Sequence, residues 1–110
     1  MTYLDEINSY AKEVHQNSVD KGFWEPNNGL IFYIKQCAMI HSEVSELVDA
    51  ISKGYPEEEV VEEMADIVVR LCDLWQGMAD DGVVETKLSD ALIEKSIKNK
   101  SRPRMHGKLA

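Results

Sequence analysis

The positions Leu30, Ile34, Cys37, His41, Val44, Val48 and Ile51, all but His41 apolar, are spaced alternately four and three apart. That spacing keeps them on one side of a helix for about six turns. The helix is stopped by Gly54-Tyr55-Pro56. Glycine is a natural helix-ending residue, proline a natural first helical one, and Glu57, Glu58 and Glu59 suit the positive end of the next helix dipole. Beyond the turn, Val60, Met64, Ile67, Leu71, Leu74 and Met78 form one apolar seam, with Val61, Ala65, Val68, Cys72 and Trp75 a second beside it. Two long helical runs joined by so short a turn can only fold back on each other as an antiparallel hairpin. The wide apolar face of the second run implies burial on two sides.

The flanks add two shorter helices. Tyr3, Leu4, Ile7, Tyr10, Ala11 and Val14 carry the helical period, with Thr2 and Asp5 spaced like a capping-box variant. The stretch KGFWEPNNG, residues 21 to 29, has the composition of a loop. After the second run ends near Ala79, DDG at 80 to 82 marks a turn, and Thr86 or Ser89 caps a fourth helix through about Lys98. No strand pattern, internal repeat or low-complexity segment competes. The expected class is all-α, a four-helix bundle occupying residues 1 to 110 as a single domain.

With 110 residues, 44% of them hydrophobic, the chain suffices for one core. It contains no apolar run long enough for a membrane helix, and MTYLDEINSY is unlike a signal peptide, so a cytoplasmic protein is expected. Cys37 and Cys72 both fall on apolar stripes, which favours reduced core residues over a disulfide. The net charge of −8 is unevenly spread. Lys95, Lys98, Lys100, Arg102, Arg104 and Lys108 form a stretch without an acid, while all 20 acidic residues lie elsewhere. Such a tail is either a solvated, nucleic-acid-contacting extension or a phosphate-binding strap folded onto the acidic body.

The acids have their own pattern. Glu43 and Glu46 lie three apart and so project from neighbouring turns of one helix face. Glu63 and Asp66 repeat the spacing in the next helix. Residues 43 and 66 are placed symmetrically about Gly54-Tyr55, as are 46 and 63. In the hairpin, Glu46 would therefore face Glu63 about 10 to 12 Å from the turn, with Glu43 facing Asp66 one turn further on. Four clustered carboxylates need raised pKa values or cations between them. Oxygen-only ligation suits Mg²⁺ or Mn²⁺, which leave coordination positions for phosphate oxygens. A di-iron bundle would want Glu-x-x-His, an EF-hand a twelve-residue loop and zinc a nearer set of thiols, none of which occurs. His41, on the apolar seam, reads as a core residue or a support to the ligands. Arg70 reads as an ion-pair partner of Asp66 or Asp73.

SEVSEL, the helix-breaking turn and EEMADIV together resemble the Glu-x-x-Glu and Glu-x-x-Asp pair of the MazG-like nucleotide pyrophosphohydrolases, of the all-α NTP pyrophosphatase superfamily. GFWEPNN and KNKSRPRMHGK are similar to the aromatic loop and basic tail of small single-domain members, so the resemblance covers most of residues 20 to 108. Ser42 stands where many members open the first motif with a further glutamate. The resemblance implies Mg²⁺-dependent hydrolysis of nucleoside triphosphates, NTP or dNTP, to monophosphate and pyrophosphate. Glu43, Glu46, Glu63 and Asp66 would be the metal ligands and catalytic acids. Lys95, Asn99, Arg102, Arg104, His106 and Lys108 would bind phosphate, and Trp24 or Phe23 would either stack on the base or cover a neighbouring helix. It also implies a homodimer or homotetramer, the tail reaching a neighbour's site. Two other readings stand beside it: a phosphoribosyl-ATP pyrophosphohydrolase-like enzyme, and a non-catalytic helical module binding a partner helix or nucleic acid.

Overall fold

A computed structural model of the chain describes residues 3–25 and 29–103. Within them lie four helices and no strand: α1 (Glu6–Asp20), α2 (Leu30–Ser52), α3 (Glu57–Asp80) and α4 (Leu88–Ser101). No helix is long and apolar enough to cross a membrane. The all-helical class expected from periodicity is therefore observed, and the ends of α2 and α3 fall within a residue of where sequence puts them. Thr2, part of the expected capping box, lies outside the described residues.

The hairpin turn works through Gly54. Its φ of 68° lies in the left-handed region that side chains with a Cβ avoid. That conformation lets the Tyr55 N–H donate to the Ala50 carbonyl at 2.9 Å and the Gly54 N–H to that of Ile51 at 3.2 Å. Two carbonyls at the end of α2 that would otherwise lack partners are thus satisfied. The same pair of bonds closes α1 at Gly22 and Phe23 and α3 at Gly82 and Val83.

Packing is organised around α3, which carries α2 on one side and α1 on the other, while α4 leans on α1. The α1/α4 contact is pinned by hydrogen bonds from Asn8. Asn8 donates to the Ser89 hydroxyl at 2.8 Å and accepts from the Ser89 backbone N–H at 3.1 Å. The expected cap of α4 is thereby corrected: neither Thr86 nor Ser89 caps from its own side chain, because Asn8 of α1 supplies the acceptor and buries Ser89 completely. The helix also continues to Ser101, beyond the expected Lys98.

Trp24, Phe32 and Tyr33 form the core cluster at the end of the hairpin remote from the turn, with Leu74 and Met78 against them. Trp24 and Phe32 lie 4.8 Å apart between ring centroids, and His15 meets Trp24 edge-on at 4.7 Å. The indole N–H donates to Asp73 Oδ1 at 2.9 Å, the same oxygen that His15 Nδ1 approaches at 2.8 Å. Each buried polar edge thus has a partner, as burial requires. The ring rests on Gly77, where a Cβ would overlap it.

The α2 seam is corrected. Leu30, Ile34, Cys37, His41, Val44, Val48 and Ile51 all face outward, Leu30 at 72% exposure and Val48 at 59%. The face that packs inward is Phe32, Tyr33, Gln36, Ile40, Glu43, Leu47 and Ala50, offset from the first by one to two positions. Cys37 is accordingly exposed and Cys72 buried, both as free thiols, with burial pushing the Cys72 thiol up. His41 is exposed too, so it is no core residue of this protomer. The helix has two apolar sides, and among the described residues only one is covered. The radius of gyration, 16.2 Å against about 13 Å for a compact chain of this length, reflects the same openness.

Gly77→Ala should lower stability by about 1–3 kcal/mol in urea unfolding, because the rigid, buried indole of Trp24 has no room to retreat. Unchanged stability would show that the ring can move.

Candidate metal centre

Glu43 is one of the inward positions of α2, flanked by Ile40 and Leu47, and its side chain is 14% exposed. Glu63 is half-buried one turn into the facing stretch of α3, and Asp66 is exposed on the next turn. One carboxylate oxygen from each of Glu43, Glu63 and Asp66 falls within 4.8 Å of the others. The antiparallel pairing brings Glu43 to Asp66, as their symmetry about the turn predicts, with Glu63 in the same group. Glu46 lies outside that trio, exposed on α2 but adjacent to it. A side-chain hydrogen bond with Glu43 raises the Glu46 carboxyl above its ordinary range, and the charges of Glu43 and Glu63 push it the same way. A proton held there lowers the repulsion within the group.

Two features bear on whether a cation fits. Glu63 Oε2 is fully buried and has no hydrogen-bond partner among the described residues. A carboxylate oxygen so placed is costly unless something positive meets it. The donor set is also purely oxygen, as Mg²⁺ and Mn²⁺ prefer. The residues fit the ion.

Arg70 is the residue that sequence misassigned. Its Nε donates to Glu43 Oε1 at 2.9 Å rather than pairing with Asp66 or Asp73. Lying seven residues after Glu63, it shares the face of α3 that carries the acids, which is the signal that would have found it. Beside the cluster and nearer the turn, Glu46, Asp49, Glu59, Glu62 and Glu63 line a cavity of about 360 Å³ with Ala50 and Tyr55. The acidic character of this end of the hairpin therefore extends past the four expected residues. Ser42 is exposed on α2.

The expected substrate-binding residues are placed differently. Trp24 is 7% exposed, held between His15, Phe32 and Gly77, so its ring is not available to stack on a base; the loop aromatic covers neighbouring helices instead. Phe23 is exposed. Lys95, Asn99 and Arg102 are exposed on or just after α4, which packs on α1 rather than on the α2/α3 face bearing the acids. One protomer thus does not bring them to the cluster. Arg104, His106 and Lys108 lie outside the described residues.

Compared with known proteins, the chain matches no family model, no curated protein and no solved structure.

Glu46→Gln should raise the melting temperature of the metal-free protein at neutral pH. A carboxyl whose pKa is raised by folding stabilises the fold only when protonated, and that contribution is lost as pH rises through the raised value. The gain from the neutral amide should therefore shrink as pH falls through that range and change sign in saturating Mn²⁺. Identical melting of both proteins across the titration would mean that Glu46 bears no such repulsion.

Proposed function

We propose that the chain is a Mg²⁺-dependent nucleoside triphosphate pyrophosphohydrolase acting at the acid cluster between α2 and α3. The convergence of Glu43, Glu63 and Asp66 around the unpartnered, buried Glu63 Oε2 carries this reading. The resemblance of SEVSEL and EEMADIV to the MazG-like motifs supplies the substrate class.

In this reading Glu43, Glu63 and Asp66 hold the ion. When bound, Mg²⁺ supplies neutralisation of the polyphosphate and polarisation of a water. Glu46, outside the trio and beside it, its carboxyl raised above the ordinary range by Glu43, is the base. It takes a proton from the water as the water oxygen bonds to the α-phosphorus. The bond from that phosphorus to the α–β bridging oxygen breaks, and pyrophosphate leaves with the electron pair. Glu46 then passes the proton to solvent. The two helices hold these groups in place before substrate arrives, so little reorganisation is needed during the reaction.

The outward face of α2 fits a second copy of this chain. Its four-and-three spacing runs about 30 Å along the helix, and a stripe that is apolar but for His41 is self-complementary on an antiparallel or parallel twin. Val61, Met64, Val68 and Leu71 extend the exposed apolar surface onto α3. Assembly as a homodimer or homotetramer covers this surface, and a neighbour's α4 then brings Lys95, Asn99 and Arg102 toward the acids.

Asp66→Asn should lower Mg²⁺-dependent pyrophosphate release by roughly a hundredfold or more, with far-UV helicity unchanged. Undiminished turnover in this variant and in Glu46→Gln sinks the reading, and turnover of phosphoribosyl-ATP alone selects the narrower enzyme. For the assembly, light scattering should give a dimer or tetramer, and Val48→Glu should shift the mass toward one protomer. A wild-type mass of about 12.5 kDa would refute it.

A further inference from the structure

Arg70 is the one cation among the described residues in ion-pair contact with the trio of Glu43, Glu63 and Asp66. It spends a single N–H on that contact. Nε donates to Glu43 Oε1 at 2.9 Å, while no hydrogen bond among the described residues uses either terminal nitrogen. A guanidinium carries five N–H donors, so four remain. The two partners also differ in exposure, with the Glu43 side chain at 14% and that of Arg70 at 36%. The anchored edge of the guanidinium is therefore turned into the hairpin, and the residue as a whole reaches toward solvent.

We propose that Arg70 is a phosphate-binding residue of the acid-cluster site, oriented through Nε by Glu43 and offering its terminal nitrogens to an anionic oxygen of the polyphosphate. The proposal rests on the metal-centre reading given above. A polyanion approaching carboxylates is repelled by each of them, the more so where little water screens the charges. A metal ion offsets part of that, and a rigid cation on the same face offsets more. The other cations near the hairpin are less well placed. Lys53 sits beyond the turn end of α2 near Asp49, with its side chain 60% exposed, and Lys95 and Lys98 ride on α4. Arginine also suits the task as lysine does not, because its planar fork can keep one bond to a carboxylate while making two parallel ones to a phosphate.

The test separates the two readings by using binding rather than turnover. Calorimetric titration of the full chain with Mn²⁺ alone, then with Mn²⁺-tripolyphosphate, should show both ligands binding to wild type. Arg70→Met should bind Mn²⁺ at least as tightly, since a positive charge beside the ligands has been removed, yet bind tripolyphosphate roughly tenfold more weakly or worse. Arg70→Lys keeps the charge without the fork and should lose most of the same affinity, which decides the matter if the methionine variant folds poorly. Wild-type affinity for tripolyphosphate in both variants overturns the proposal. A parallel loss of Mn²⁺ binding overturns it too, making Arg70 only a prop for Glu43. If wild type binds no Mn²⁺ at all, the metal centre itself fails and the role of Arg70 falls with it.

Discussion

Repulsion between like charges is the constraint on which the α2/α3 hairpin depends. Four carboxylates from two turns of each helix are brought to one face, three of them within 4.8 Å of each other. The fold contains them by unlike means. Arg70 pairs with Glu43, Glu46 shares a side-chain hydrogen bond with Glu43 that raises its carboxyl above the ordinary range, and Asp66 stays exposed to water. Glu63 Oε2 receives no such relief. Apolar contacts such as Ile40 and Leu47 on either side of Glu43, together with the Gly54 closure, hold the helices in register against that repulsion. The arrangement resembles a loaded clamp whose tension a divalent cation would release.

The two ends of the hairpin contrast. At the turn the lining is acidic, with a cavity bordered by five carboxylates. At the far end it is aromatic, closed by Trp24 over Gly77 and tied through Asp73 to His15. Buried aromatic area with satisfied polar edges is a strong and specific source of stability. Placing it remote from the acids leaves the acidic end free to carry unfavourable charge, because the cost is met about 20 Å away along the same two helices.

Much of this was legible in sequence, and the failures have physical causes. The turn at Gly54 could be read because glycine alone adopts its backbone angle freely, and the symmetry of 43 with 66 followed from helix geometry. Periodicity identified the apolar face of α2 through Leu30, Ile34 and Val44, but period alone does not say what covers a face. A second inward face, offset by only one or two residues through Phe32, Ile40 and Leu47, was hidden inside the first. Sequence left Trp24 open between stacking on a base and covering a neighbouring helix because its partners, Gly77 and Asp73, are about fifty residues away. Arg70 was missed because its natural partners seemed to be acids one turn off, whereas the hairpin offers it Glu43 from the opposite helix. Long-range contacts of this kind leave no local mark.

The Asn8 clasp on Ser89 has a mechanical meaning. It grips α4 at its first turn, and the helix extends about 20 Å beyond that point, its main packing partner being α1. The helix is therefore a lever with its pivot at one end. A tilt of about 10° at the pivot carries the Arg102 end through about 4 Å, enough to lengthen or close a hydrogen bond to a distant anion. The Asn8 amide is thus one of the contacts from α1 that direct the positive charge at the opposite end of the arm.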